Sequence, residues 1–140
     1  MDDSRKSGWC NTQLRIIMNY TGTIIQESLD NPHVLAQIKI INTTVEEVTL
    51  AHKTPWLNIW TLHTVEMPEV DADRVASVLS RHLDSRHPSA WYIDFKNSAF
   101  HYIIFPNKIF KIDYKTQSYS KAIAYGIQVG IPRHQLDFSH

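Results

Sequence analysis

The residues best suited to chemistry are Asp94 and His101, which lie in the aromatic stretch 90–105. The alternation of side chains predicts a β-hairpin whose two-residue turn is Asn97-Ser98. That pairing sets Asp94 directly opposite His101, with their Cβ atoms about 5 Å apart. A carboxylate beside an imidazole orients the ring, which is half of a general-base arrangement. We therefore predict Asp94 and His101 as catalytic candidates, with a hydrogen-bonded surface pair as the alternative.

The same pairing sorts the hairpin into two faces, which a one-residue slip would mix. The first face is almost wholly apolar and predicts core: Trp91, Ile93, Phe95, Phe100, Tyr102 and Ile104. The second face is polar and predicts a solvent-facing surface: Tyr92, Asp94, Lys96, His101 and Ile103. Tyr92 and Lys96 are therefore predicted ligand-binding residues beside Asp94.

A second group of candidates lies in the loop 51–58 and the strand after it. His52, Lys53 and Trp56 are unusual in a plain connection, so we predict that they help to bind a ligand. His63 joins this set, and it completes a His/His/Asp cluster for a divalent metal if its strand lies beside the hairpin. Core-edge packing is the alternative for the aromatic residues. No metal ligand is assigned, and the cofactor is left unknown.

The elements that must position these residues follow from periodicity. Alternating or β-branched runs predict strands at 21–28, 38–48 and 59–67, followed by the three-strand meander of 90–113. Helical spacing of apolar residues predicts a short helix at 32–37 and long helices at 70–83 and 117–129. This order predicts an α+β fold: a mixed, mainly antiparallel sheet with two long helices on one face.

Composition narrows the class of protein. The 140-residue length fits one domain, and we expect it to span 18–140 after a flexible N-terminal extension, 1–17. The formal net charge of zero argues against general nucleic-acid binding. No apolar run is long enough for a membrane span, and Cys10 is the only cysteine, so we expect a cytoplasmic protein without disulfides.

Five segments resemble a family of small conserved hypothetical proteins of bacteria and archaea. They contain HKTPW from His52, WTLHTVE from Trp60, WYIDFKN from Trp91, HYIIFPNK from His101 and GIQVGIP from Gly126. The family has no established activity, so the resemblance implies one autonomous soluble domain and transfers no catalytic residue.

The residues favour two classes of function. The first is a non-enzymatic module that binds a small ligand or a protein on the polar sheet face. The alternative is a small metal-dependent or His/Asp-dependent hydrolase or nuclease-like enzyme. The oligomeric state stays open.

Overall fold

A computed structural model describes residues 18–87 and 89–138. Within them, six strands form one sheet in the order β2-β3-β1-β4-β5-β6, and every neighbouring pair is antiparallel. The strands are β1 Tyr20–Ile25, β2 Lys39–Glu47, β3 Ile59–Met67, β4 Ile93–Lys96, β5 Phe100–Phe105 and β6 Lys108–Asp113. The predicted α+β fold is confirmed. The predicted extension at 1–17 lies outside the described residues.

Two α-helices accompany the sheet, α1 Ala72–His82 and α2 Ser120–Gln128. Val75, Ala76 and Leu79 form the buried stripe of α1, as their helical spacing predicts. Past the end of α2, Gly130 has a φ of 98°, a conformation that glycine adopts without strain. Short 3-10 helices occupy Gln26–Ser28, Pro32–Gln37, Leu50–His52, Glu69–Asp71 and Arg133–Gln135.

The two α-helices lie on opposite faces of the sheet, whereas the sequence predicted both on one face. The larger core joins α1 to one face of the hairpin, including Phe95 and Tyr102. The smaller core joins Ala122 of α2 to the other face. Leu136 and Phe138 of the C-terminal segment, residues 131–138, belong to the same core. Each apolar stripe identifies a buried helix face but not the side of the sheet that it covers. The predicted solvent-facing surface is thus largely covered.

The register of the β4–β5 hairpin differs from the predicted one. Lys96 pairs with His101 and Asp94 with Ile103, so Asp94 and His101 are diagonal rather than direct neighbours. The turn is longer because the Asn97 side chain accepts hydrogen bonds from the amides of Ala99 and Phe100. The register moves by two residues, which preserves the sorting of side chains into two faces.

Close contact between β1 and β4 depends on Gly22. A Cβ atom at this position would lie 2.3 Å from the Asp94 carbonyl oxygen and 2.7 Å from the Phe95 Cβ. Both distances are far shorter than van der Waals contact, so only glycine fits here without movement of the backbone. Gly22 therefore lets β4 hold Asp94 close to the centre of the sheet.

Candidate functional site

A cavity of about 390 Å³ lies over the sheet on the face that carries Asp94. Thr23 pairs with Asp94 across β1 and β4, and Ile25 pairs with Leu62 across β1 and β3. Because alternate residues of a strand share a face, these side chains form a continuous floor. The complete lining comprises Thr23, Ile25, Ala51, His52, Trp60, Leu62, Ala90, Trp91, Tyr92, Asp94, His134 and Gln135.

The C-terminal segment forms one wall of the cavity. The Tyr92 hydroxyl donates a hydrogen bond to the carbonyl oxygen of Gln135 at 2.6 Å. The Gln135 side chain donates to the carbonyl oxygens of Ala51 and His52, at 3.2 and 3.4 Å. Leu136, which is fully buried, anchors the segment against Gly126 of α2. These contacts link the sheet, the 51–58 loop and the C-terminal segment around one space.

Asp94 ends a chain of hydrogen bonds that runs through His101 to Tyr119 on the face of the sheet that α2 covers. Nε2 of His101 lies 2.6 Å from Oδ2 of Asp94, and Nδ1 of His101 lies 2.9 Å from the Tyr119 hydroxyl. Tyr119 in turn interacts with Tyr114. A neutral imidazole satisfies both contacts when Tyr119 donates to Nδ1 and Nε2–H donates to the carboxylate. The chain thus fixes the carboxylate in place.

Tyr92, Tyr114 and Tyr119 stay protonated at neutral pH. Burial raises the pKa of Tyr114 to about 12, and burial likewise raises the pKa of Tyr119. The pKa of Tyr92 is raised by burial and further by the negative charges of Asp94 and Asp137. All three hydroxyls therefore keep the proton that a hydrogen-bond donor needs.

The structure assigns different positions to the two predicted catalytic residues. The Asp94 side chain is 26% exposed and lines the cavity, whereas the His101 side chain is 0% exposed. A ligand in the cavity can touch the carboxylate but cannot reach the imidazole. Any proton transfer to a ligand would fall to Asp94, with His101 as its positioning residue.

His52 is fixed in the cavity wall by hydrogen bonds on both ring nitrogens. The Thr49 amide donates to Nδ1 at 2.9 Å, and Nε2 lies 3.0 Å from Oε1 of Glu46. Its ring meets Trp60 edge-on, with centroids 4.3 Å apart. His52 therefore shapes the wall rather than offering a free nitrogen.

The other predicted ligand-binding residues divide between the cavity and its surroundings. Tyr92 lines the cavity, and Lys96 lies with Asp94 in an adjoining depression over β1 and β4. Lys53 is exposed with a φ of 62° and does not line the cavity. Trp56 also lies outside it and stacks on His87, with centroids 3.9 Å apart.

The prediction that His63 joins Asp94 and His101 is wrong. His63 pairs with Ile24 and Thr43, which puts its side chain on the opposite face from Asp94. There Nδ1 lies 2.8 Å from the Thr43 hydroxyl and Nε2 lies 2.8 Å from the Gln26 side chain. Among the residues that the structure describes, no group of three His, Cys, Asp or Glu could hold a metal ion.

Sequence reasoning missed the contribution of distant segments to the cavity. His134 and Gln135 belong to a C-terminal 3-10 helix that carries no local signal of a site. Trp91 was predicted as core, and it is 1% exposed, yet it also lines the cavity. Its Nε1 is the one buried side-chain nitrogen or oxygen without a partner in the described part of the chain. Only the assembled fold brings these residues together.

No protein-family model matches the chain, and no curated protein or solved structure matches it either. The resemblance to small conserved hypothetical proteins therefore stays a prediction. Within residues 18–87 and 89–138, no helix is long and apolar enough to cross a membrane.

Proposed function

We propose that the protein binds a small molecule in the cavity above Asp94. The observation that carries this proposal is a preformed space of about 390 Å³, lined mostly by apolar and aromatic side chains around one fixed carboxylate. Ligand sites are typically concave, mostly apolar and furnished with a few convergent polar groups. The hydrogen bonds of Gln135 and Tyr92 fix the wall of this space against the sheet and the 51–58 loop.

We would test this proposal by screening ligands against the wild type and against a variant whose cavity is filled by a larger side chain. Nucleosides, amino acids and aromatic amines would be screened by thermal shift, and each hit titrated by calorimetry. A compound at 100-fold excess over its dissociation constant stabilises the fold by ~2.7 kcal/mol. Ala51→Trp adds a bulky side chain to the cavity wall, and Val70→Trp is the matched control, since Val70 is 85% exposed and does not line the cavity.

We expect hits to bind the wild type and Val70→Trp equally and to lose at least tenfold in affinity for Ala51→Trp. Equal binding to all three proteins would place the ligand elsewhere and overturn the proposal. An absence of hits across the whole screen would also count against it.

The chain from Tyr119 through His101 to Asp94 supports a second candidate, an Asp94-dependent hydrolase. Asp94 would accept a proton from a water that attacks the substrate, and His101 would hold the carboxylate in position. Assay of a panel of p-nitrophenyl esters and phosphates tests this candidate. We expect Asp94→Asn to lower any turnover by about 100-fold or more. Turnover that survives this substitution would exclude Asp94 as the base.

A further inference from the structure

Aromatic rings cluster on the wall of the cavity near Asp94. Trp60 and Trp91 lie with ring centroids 5.7 Å apart and planes tilted by 50°. Tyr92 lines the same cavity one residue after Trp91. The faces of such rings carry negative electrostatic potential and attract cations within about 6 Å of the centroid. The wall therefore offers a surface that favours positive charge as well as apolar groups.

The polar groups of the lining point to the same class of ligand. His52, Tyr92 and Gln135 already make hydrogen bonds within the protein. The Asp94 carboxylate is a quarter exposed, and it is the one acidic side chain of the lining. His134 is the other titratable side chain of the lining, besides His52, Tyr92 and Asp94. The fixed negative charge of the cavity is therefore that of Asp94.

We propose that the cavity binds an organic cation, an alkylammonium or quaternary ammonium group, between the Asp94 carboxylate and the aromatic wall. This inference rests on the proposed small-molecule function and names its ligand class.

Two probes of nearly the same shape and size show how much of the binding affinity depends on the positive charge. Choline carries a quaternary ammonium and a hydroxyl, and 3,3-dimethyl-1-butanol replaces the charged nitrogen by carbon. Calorimetric titration of both would use the wild type, Asp94→Asn and Glu47→Gln. Asp94→Asn keeps an oxygen that can accept from His101, and Glu47→Gln removes the same charge from exposed β2. Indole serves as a neutral aromatic probe of the cavity itself.

We expect choline to bind wild type and Glu47→Gln at least ~10-fold more tightly than its neutral analogue, since charge pairing adds to the cation–π attraction. Asp94→Asn should abolish most of this preference, while a thermal melt shows that the variant is folded. Trp60→Leu should weaken the binding of choline more than it weakens the binding of the neutral alcohol.

The outcomes distinguish this inference from the proposed function. If the neutral alcohol or indole binds and choline does not bind more tightly, the ligand class is wrong and small-molecule binding stands. If the preference for choline survives in Asp94→Asn, the carboxylate is not its cause and the inference fails. If choline, the alcohol, indole and all screened compounds fail to bind, both the inference and the proposed function are overturned.

Discussion

His101→Ala should lower the free energy of unfolding more than Asp94→Asn does. His101→Ala removes the partner of both Asp94 and Tyr119, at 2.6 and 2.9 Å, and leaves a void beside Phe138. A lost hydrogen bond to a charged group costs about 1.5–3 kcal/mol and a neutral one about 1 kcal/mol. Water can rehydrate the partly exposed carboxylate, which lowers the first contribution. We expect a net loss of about 3 kcal/mol.

Asp94→Asn should cost only about 1 kcal/mol, because an amide oxygen still accepts from the imidazole. Urea unfolding followed by tryptophan fluorescence measures both variants. With a slope of about 1–3 kcal/mol per molar urea, His101→Ala should lower the midpoint by more than about 1 M. A smaller loss for His101→Ala than for Asp94→Asn would refute the view that the imidazole is a buried structural link.

Three further variants test separate features of the fold. Burial raises the pKa of Asp84, but hydrogen bonds from His87 and Arg86 outweigh burial and hold this pKa below its ordinary 3.8. Asp84→Asn should therefore cost about 1–3 kcal/mol at pH 7, and this difference should shrink as the pH falls below 3.8 and through the lowered pKa of folded Asp84, because the carboxyl then becomes protonated in both states; acid and urea titrations measure it. Gly22→Ala should destabilise by about 1–3 kcal/mol or more, measured by thermal melting, because its Cβ meets the neighbouring strand. Tyr92→Phe should cost about 1 kcal/mol and speed amide exchange around Gln135, since it removes the hydroxyl that holds this segment.

Matched controls separate these effects from general damage. Tyr125→Phe also removes a tyrosine hydroxyl but should leave exchange around Gln135 unchanged, because Tyr125 does not contact that carbonyl oxygen. Thr21→Ala adds no new Cβ beside β4 and should change stability by less than about 0.5 kcal/mol. A pH-independent cost for Asp84→Asn would contradict the assigned role of the carboxylate.

The order of elements could be predicted from the sequence because periodicity is a local signal. Strand Ile59–Met67 and the short helix Pro32–Gln37 have the bounds that were predicted for them. The division of the hairpin into two faces is also confirmed, since it depends only on alternation. These features need no knowledge of contacts that are distant in sequence.

The details that sequence reasoning missed depend on side-chain contacts and tertiary packing. The Asn97 carboxamide bonds two later amides and lengthens the hairpin turn, which no residue count reveals. His63 has the residue type of a site but faces the side of the sheet away from Asp94, because its position relative to β1 sets its direction. Gln135 reaches the cavity only through the path of the C-terminal segment.

The wall formed by Gln135 also bears on the order of events in folding. Its hydrogen bonds to Tyr92, Ala51 and His52 join residues 43, 84 and 83 positions apart in the chain. Contacts at such separations require large loops to close and tend to form late. The β4–β5 hairpin, whose contacts are local, can therefore be complete before the cavity exists. During refolding, the capacity to bind a ligand should appear after the amides of β5 are protected from exchange.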